Sequence, residues 1–173
     1  MLYAEYDNLI IRPMTETDRD GFYDGFKLQG WDKPREQFEN YFNMQKNGER
    51  IIIVAQWDDR AAGYVTLVDG TDTGPFAGKG YPEIVDFNVL ERFQRLGIGG
   101  KIMDTAEKLA AEKSDTVTLG VGLYAGYGTA QRMYVKRGYI PDGSGIWYKG
   151  EAVPPYSHVC ADDELVMYFS KRL

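Results

Sequence analysis

The run Val85-Asp86-Phe87-Asn88-Val89-Leu90-Glu91-Arg92-Phe93-Gln94-Arg95-Leu96-Gly97-Ile98-Gly99-Gly100-Lys101 reads as a strand, a short loop, a glycine turn and the start of a helix. No other segment constrains the chain as much. The first amides of a helix have no acceptor within it, and the helix dipole makes that end favourable for an anion. Glycines at 97, 99 and 100 remove Cβ atoms, so a ligand can approach the backbone. Arg95 and Lys101 add positive charge. Two readings follow: a plain tight turn, or a cradle for a phosphate or pyrophosphate.

Two common phosphate motifs do not fit this turn. A P-loop places Ser or Thr after Gly-Lys, with another glycine upstream. Gly99-Gly100-Lys101-Ile102 has neither. A dinucleotide fingerprint begun at Gly97 fails at Ile102. Gly120-Val121-Gly122-Leu123-Tyr124-Ala125 does fit G-x-G-x-x-A, but no later strand ends in the acidic residue that would hold a ribose. A dinucleotide enzyme built on Gly120 and Gly122 is therefore the weakest of three functional readings.

The rest of the chain supplies the frame. Leu9-Ile10-Ile11 is a first strand ended by Pro13, and Thr15 offers a helix cap with Asp18 three residues on. Phe22 and Phe26 share one helical face, Gly30-Trp31-Asp32 is a break, and Pro34 opens a second helix closed at Asn47-Gly48. A hairpin follows, from Arg50 to Trp57 and from Gly63 to Val68, turning at Asp58-Asp59-Arg60. Residues 70–80 form a Gly/Thr-rich loop. Glu83 to Leu90 is a strand, and the helix after the glycine turn runs to about Lys113. Thr116 to Val121 is a strand, and Tyr127 to Arg137 is a helix closed by Gly138. Residues 141–163 read as a second long loop before a last strand, Leu165 to Phe169. No repeat or linker interrupts this order, which predicts one α/β domain over residues 1–173, its sheet mixing hairpin and crossover connections.

Composition narrows the function. With 173 residues, 43% of them apolar, the chain has material for one sizeable core. The net charge of −6 disfavours a nucleic-acid partner. One cysteine, Cys160, and one histidine, His158, can build neither an internal disulfide nor a multi-thiolate zinc site. The longest apolar run, Ile51-Ile52-Ile53-Val54-Ala55, is too short to span a bilayer, and the N-terminus lacks a signal-peptide pattern. A soluble, cytoplasmic protein with no membrane partner is expected.

Gln94-Arg95-Leu96-Gly97-Ile98-Gly99 resembles the Gln/Arg-x-x-Gly-x-Gly/Ala signature of the Gcn5-related N-acetyltransferases (GNAT), in their bacterial-type single-domain form. Phe87-Asn88-Val89 is similar to the end of that family's fourth strand. Ala130-Gln131-Arg132-Met133-Tyr134-Val135-Lys136-Arg137-Gly138-Tyr139 is similar to its Ala-x-x-x-Tyr-x-x-x-Gly-Phe/Tyr helix. The blocks stand in the family's order on the matching elements. The resemblance implies an α/β fold of α+β type: a mixed, mostly antiparallel central sheet, helices on both faces, and a splay between the fourth and fifth strands. It also implies acetyl-CoA as co-substrate, a primary amine of a small molecule or peptide as acceptor, and the homodimeric state common in the family.

Site roles follow from the same resemblance. The pyrophosphate of coenzyme A would rest on Gln94, Arg95, Leu96, Gly97, Ile98, Gly99, Gly100 and Lys101, mainly through backbone N–H groups. The pantetheine arm would bond main-chain groups of Phe87 and Val89. Tyr134 would give a proton to the departing thiolate, although a core aromatic role also fits, with Ala130 on the same helical face. Many members have Asn where this chain has Tyr127, which would contact the cofactor differently. Ala130 completes the cofactor set.

An attacking amine is mostly protonated at neutral pH, so a base is expected. Glu83 is the first candidate, at the spacing where histone acetyltransferases of the family keep theirs. Asp86, an acid in an apolar strand, is the second. Strand alternation puts the two on opposite faces. A solvated or structurally paired carboxylate is the competing reading for each, and transfer through water needs neither. The family's bacterial protein N-terminal acetylases carry Glu where this chain has Gly122, which argues against acetylation of ribosomal-protein type with that base. Phe26, Trp31, Tyr41, Trp147, Tyr148, Tyr156 and His158 lie in segments that border the family's acceptor pocket. Aromatic walls on an acidic chain suit a cationic amine. A non-catalytic acyl-CoA-binding module on the same fold is the second functional reading.

Overall fold

The computed structural model describes residues 2–173. Nine strands and four helices among them make a mixed α/β fold whose strand pairs are mostly antiparallel. The chain divides into two compact units: one holds the chain up to Val68 with Val85–Leu109, the other Asp69–Ile84 with Ala110–Leu173.

In the first unit, β1 (Ala4–Glu5), β2 (Leu9–Pro13), β3 (Ile51–Trp57), β4 (Arg60–Val68) and Val85–Val89 of β5 (Glu83–Val89) lie side by side in that order. The β3–β4 turn is only two residues long, because Asp58 and Asp59 both take positive φ (44° and 61°) and Trp57 already pairs with Arg60. Paired left-handed residues match the twist of a hairpin, and Asp tolerates them better than most residues. Ile52, Ile53, Val54 and Ala55 are all buried, so β3 is covered on both faces. Helices α1 (Asp18–Leu28) and α2 (Arg35–Lys46) cover one side: Phe22, Phe26 and Phe38 meet the ring of Tyr64 with centroids 4.9–6.3 Å apart. Adjacent Gly63 faces the other side, where a Cβ would come within 3.2 Å of Ile102 on α3 (Ile98–Ala111).

Thr15 does not cap α1. That helix begins at Asp18 with Thr17 as its N-cap, and Thr15 instead donates to Asp18 Oδ2 through its amide (2.7 Å) and hydroxyl (2.8 Å). The same carboxylate receives Arg12 in a two-pronged ion pair at 2.6 and 2.9 Å. Binding a buried acid outweighed the local capping pattern, because an unpaired buried charge is far more costly than a missing cap.

In the second unit, β6 (Thr116–Gly122) pairs antiparallel with β9 (Leu165–Arg172) from Thr116↔Arg172 to Gly122↔Val166. On its other side β6 pairs in parallel at Glu83↔Thr118 and Ile84↔Leu119. A short 3₁₀ turn, Ala125–Tyr127, leads into α4 (Gly128–Lys136). The long loop expected over 141–163 is strand in its first part and loop from 153 onward: β7 (Ile140–Tyr148) pairs with β9 and, by a hairpin, with β8 (Glu151–Ala152). Pro141, Gly143 and Gly145 disguise it, because they sit in a bulge where the register shifts between Pro141 and Ile146. Among the described residues no helix is long and apolar enough to cross a membrane.

Candidate active site

The glycine turn opens the N-terminus of α3. Gly97 has φ +79° and Arg95 φ +64°, so the chain reverses through two left-handed residues before the helix begins. The first helical bond runs from Lys101 N to Gly97 O (3.3 Å), and the amides of Ile98, Gly99 and Gly100 precede it. Their side chains divide the work. Ile98 is buried, so it can offer a ligand only main chain. A Cβ on Gly99 would stand 3.1 Å from Phe87, whose ring packs under the helix start. A Cβ on Gly100 would meet nothing within 4 Å, which leaves that surface open.

Gln94 donates its side-chain amide to Val89 O (3.0 Å), tying the loop to the strand end. Arg95 and Leu96 are exposed, and Lys101 holds its ammonium 4.5 Å from the ring centroid of Tyr6. No acidic residue lies between Gln94 and Lys101. Free amides, cations and absent side chains together suit a phosphate ester.

β5 does not alternate regularly. Asp86 has φ +49°, a left-handed residue inside a strand. The parity count from Glu83 to Asp86 therefore breaks, and the expectation of opposite faces loses its basis. Beyond the irregularity the order is clear: Phe87 and Val89 lie beside Gly99, while Asp86 and Asn88 bond each other on the side of α1 and α2.

Asp86 accepts from five side chains. Its Oδ1 accepts from Lys33 Nζ (2.8 Å) and Asn88 Nδ2 (2.7 Å). Its Oδ2 accepts from Tyr64 Oη (2.6 Å), Gln37 Nε2 (2.8 Å) and Tyr41 Oη (2.9 Å). Burial alone would push its pKa up, but the Lys33 ammonium and the hydrogen bonds of Lys33, Tyr64 and Tyr41 together bring it below the ordinary value. The two phenols move the other way: burial and the Asp86 charge push Tyr41 up to about 12 and Tyr64 well above the usual phenol. An ionised carboxylate with five donors is an anchor and a poor proton acceptor. Lys33, Gln37 and Tyr64 escaped the sequence reading. The available signal was Asp86 itself, since an acid in an apolar strand requires a cation.

Glu83, Tyr127, Ala130 and Tyr134 belong to the second unit. Tyr134 is buried on α4, its ring centroid 5.7 Å from that of Tyr139, and burial raises its pKa so that the phenol stays protonated. Tyr127 lies over Gly122, where a Cβ would overlap its ring, and donates to Asp163 Oδ1 (2.8 Å) beside Tyr124 (2.7 Å). Position 122 thus has no room for a glutamate. Ala130 and Glu83 are half-buried. Burial first, and then the charges of Glu83, Asp142 and Glu164, raise the pKa of Tyr168.

Of the aromatics expected at an acceptor pocket, Phe26, Trp31 and Tyr41 adjoin the Asp86 network: Trp31 stacks on Phe26 at 5.8 Å. In the second unit Trp147 meets Tyr168 edge-on at 5.8 Å, and Tyr148 donates to Asp162 (3.0 Å). Tyr156, His158 and Cys160 are exposed.

Known proteins bear on this arrangement in three ways. No curated protein matches the chain by sequence. Among solved structures, the fold is similar to an acetyl transferase from Salmonella typhimurium that modifies the N-terminal serine of ribosomal protein L7/L12 (TM-score 0.72, 9% identity, 100% of this chain and 99% of that one). It is similar to RimL in complex with coenzyme A (0.71, 10%, 100% and 98%) and to Ard1 from Thermoplasma volcanium (0.69, 18%, 96% and 99%). The model of the acetyltransferase (GNAT) family matches residues 12–139, which include the glycine turn, β5 and the Tyr134 helix. The chain belongs to the GNAT acetyltransferase family.

Proposed function

We propose that the protein moves an acetyl group from acetyl-CoA to a primary amine of a small molecule or peptide by direct attack, with residues 1–173 acting as one catalytic domain. The observation that carries this is the open start of α3, with left-handed Gly97 and an unobstructed Gly100. The amides of Ile98, Gly99 and Gly100 would hold the pyrophosphate, with Arg95 and Lys101 adding charge. Main-chain groups of Phe87 and Val89 would guide the pantetheine arm. Tyr127 and Ala130 are assigned to cofactor contact on the family pattern.

Acetyl-CoA supplies an activated carbonyl on a thiolate leaving group. An N–C bond forms as the C–S bond breaks, the amine's proton passes to Glu83 directly or through water, and the thiolate takes a proton from Tyr134. Asp86 holds its carboxylate in the anionic form and is assigned to binding. Peptide acceptors gain support from RimL and the Salmonella enzyme, both acetyltransferases of ribosomal protein L7/L12. The side-chain-free position at Gly122 points away from a copy of that chemistry. Calorimetry with coenzyme A, followed by thiol release across an amine panel, tests the proposal. Absence of coenzyme A binding would refute it.

A further inference from the structure

Lys33 Nζ sits as a bound ligand's ammonium would sit. It donates to Asp86 Oδ1 at 2.8 Å and to Tyr64 Oη at 3.0 Å. It also lies 5.1 Å from the ring centroid of Phe26 and 5.6 Å from that of Tyr64. A carboxylate, a hydroxyl and two ring faces are the chemistry that recognises a primary alkylammonium.

The walls and the occupant come from different kinds of structure. Phe26 is on α1, Gln37 and Tyr41 on α2, Tyr64 on β4, and Asp86 on β5. Lys33 alone is on the connection between α1 and α2, residues 29–34, where Gly30 takes φ +77° and Trp31 and Asp32 are exposed. Main-chain bonds to Phe26 and Lys27 pin Gln29, Gly30 and Trp31 at the start of this connection. If Lys33 withdrew, Asp86 would keep Asn88, Tyr64, Gln37 and Tyr41 as donors, so the anion stays in place. Each of the two side chains keeps about a fifth of its surface exposed, so water reaches the pair and parting it costs less than parting a fully buried one. Holding Asp86 at φ +49° adds strain of the sort found at working sites.

We propose that this cage binds the ammonium of a primary alkylamine and that Lys33 occupies it at rest in the ligand's place. Asp86 is saturated and does not remove the proton, so the caged group is gripped rather than activated. The tenant is then an acceptor that carries a second ammonium besides the amine it loses to acetylation. The identity of the tenant rests on the acetyl-transfer reading, whereas the cage does not.

The cage is tested without coenzyme A. Lys33→Ala removes what n-propylammonium can replace. By calorimetry the variant should bind n-propylammonium about tenfold or more tighter than the wild type. It should not bind n-propanol, and a further Asp86→Asn change should abolish amine binding. Equal affinity in wild type and variant, or equal binding of the alcohol, overturns the proposal.

A second measurement uses the unaltered chain and so survives any misfolding of the variant. On titration with cadaverine, the Lys33 ε-methylene signal in heteronuclear NMR should move to the position of exposed lysines. A Lys33 signal unmoved at saturating cadaverine overturns the exchange. The acceptor assignment predicts a kcat/KM for cadaverine about tenfold or more above that for n-pentylamine. This preference should collapse in Asp86→Asn, and equal values for the two amines overturn the assignment. Failure of coenzyme A binding bears on acetyl transfer alone, and the amine titrations bear on the cage alone.

Discussion

The ring of Tyr127 fills the space into which any side chain at Gly122 would project. Its hydroxyl is bonded to Asp163, so the ring has little freedom to yield. Gly122→Ala should therefore destabilise the fold by ~1–3 kcal/mol, the usual range for overpacking. Removing the ring with Tyr127→Ala should recover part of that loss. Urea unfolding of the two single variants and the double variant checks this, and strict additivity would contradict the contact.

Gly100 separates ligand binding from folding. A methyl group there meets nothing within 4 Å, and Gly→Ala inside a helix gains up to ~1 kcal/mol. Gly100→Ala should melt at or above the wild-type temperature while binding coenzyme A about tenfold or more weakly. Unchanged affinity in calorimetry would remove the cradle. Gly97→Ala should lose stability instead, because φ is +79° there.

Tyr134→Phe should lower kcat on the order of a hundredfold, the scale of a lost proton donor, with coenzyme A affinity unchanged. Burial holds the Tyr134 hydroxyl protonated beyond the ordinary phenol value of 10.0. The wild-type rate should therefore show no fall from this group through neutral and moderately alkaline pH. An unaltered kcat in the variant would take Tyr134 out of the chemistry.

Asp86 predicts an acid-sensitive fold. Its folded pKa lies below the ordinary 3.8, so its contribution to stability is present above that value and is lost as pH falls through the folded pKa. Urea midpoints of the wild type should drop with acidification from about pH 4 downward. Asp86→Asn should have a shallower acid limb, and parallel limbs would show that the carboxylate adds nothing.

Regular elements were legible where pattern and chemistry agreed. The β3–β4 hairpin, the Pro34 helix, the helix after the glycine turn and the helix ended by Gly138 all appear where apolar period and breakers placed them. The turn itself is tighter than expected, since two aspartates take left-handed conformations. β7 was hidden because glycine and proline signal turns and bulges alike. The two-residue β1 carries too little pattern to be read. At the candidate site, the glycine turn was readable because its chemistry is local in sequence. The Asp86 network was not, because Lys33 and Tyr64 reach it from 53 and 22 residues away. Nor does composition reveal a left-handed aspartate in a strand, since the residue is ordinary and only its φ is unusual.

That left-handed aspartate also limits which substitutions β5 can accept. Asn and Gly tolerate φ near +49°, whereas β-branched residues, the usual favourites of strands, do not. In a mutational scan selected for folding alone, position 86 should admit Asn and Gly and reject Val and Ile, while its neighbours at 85 and 87 show the opposite preference. Drift at this position is thereby steered towards small or amide side chains, and the negative charge can be lost in one step without disturbing the backbone.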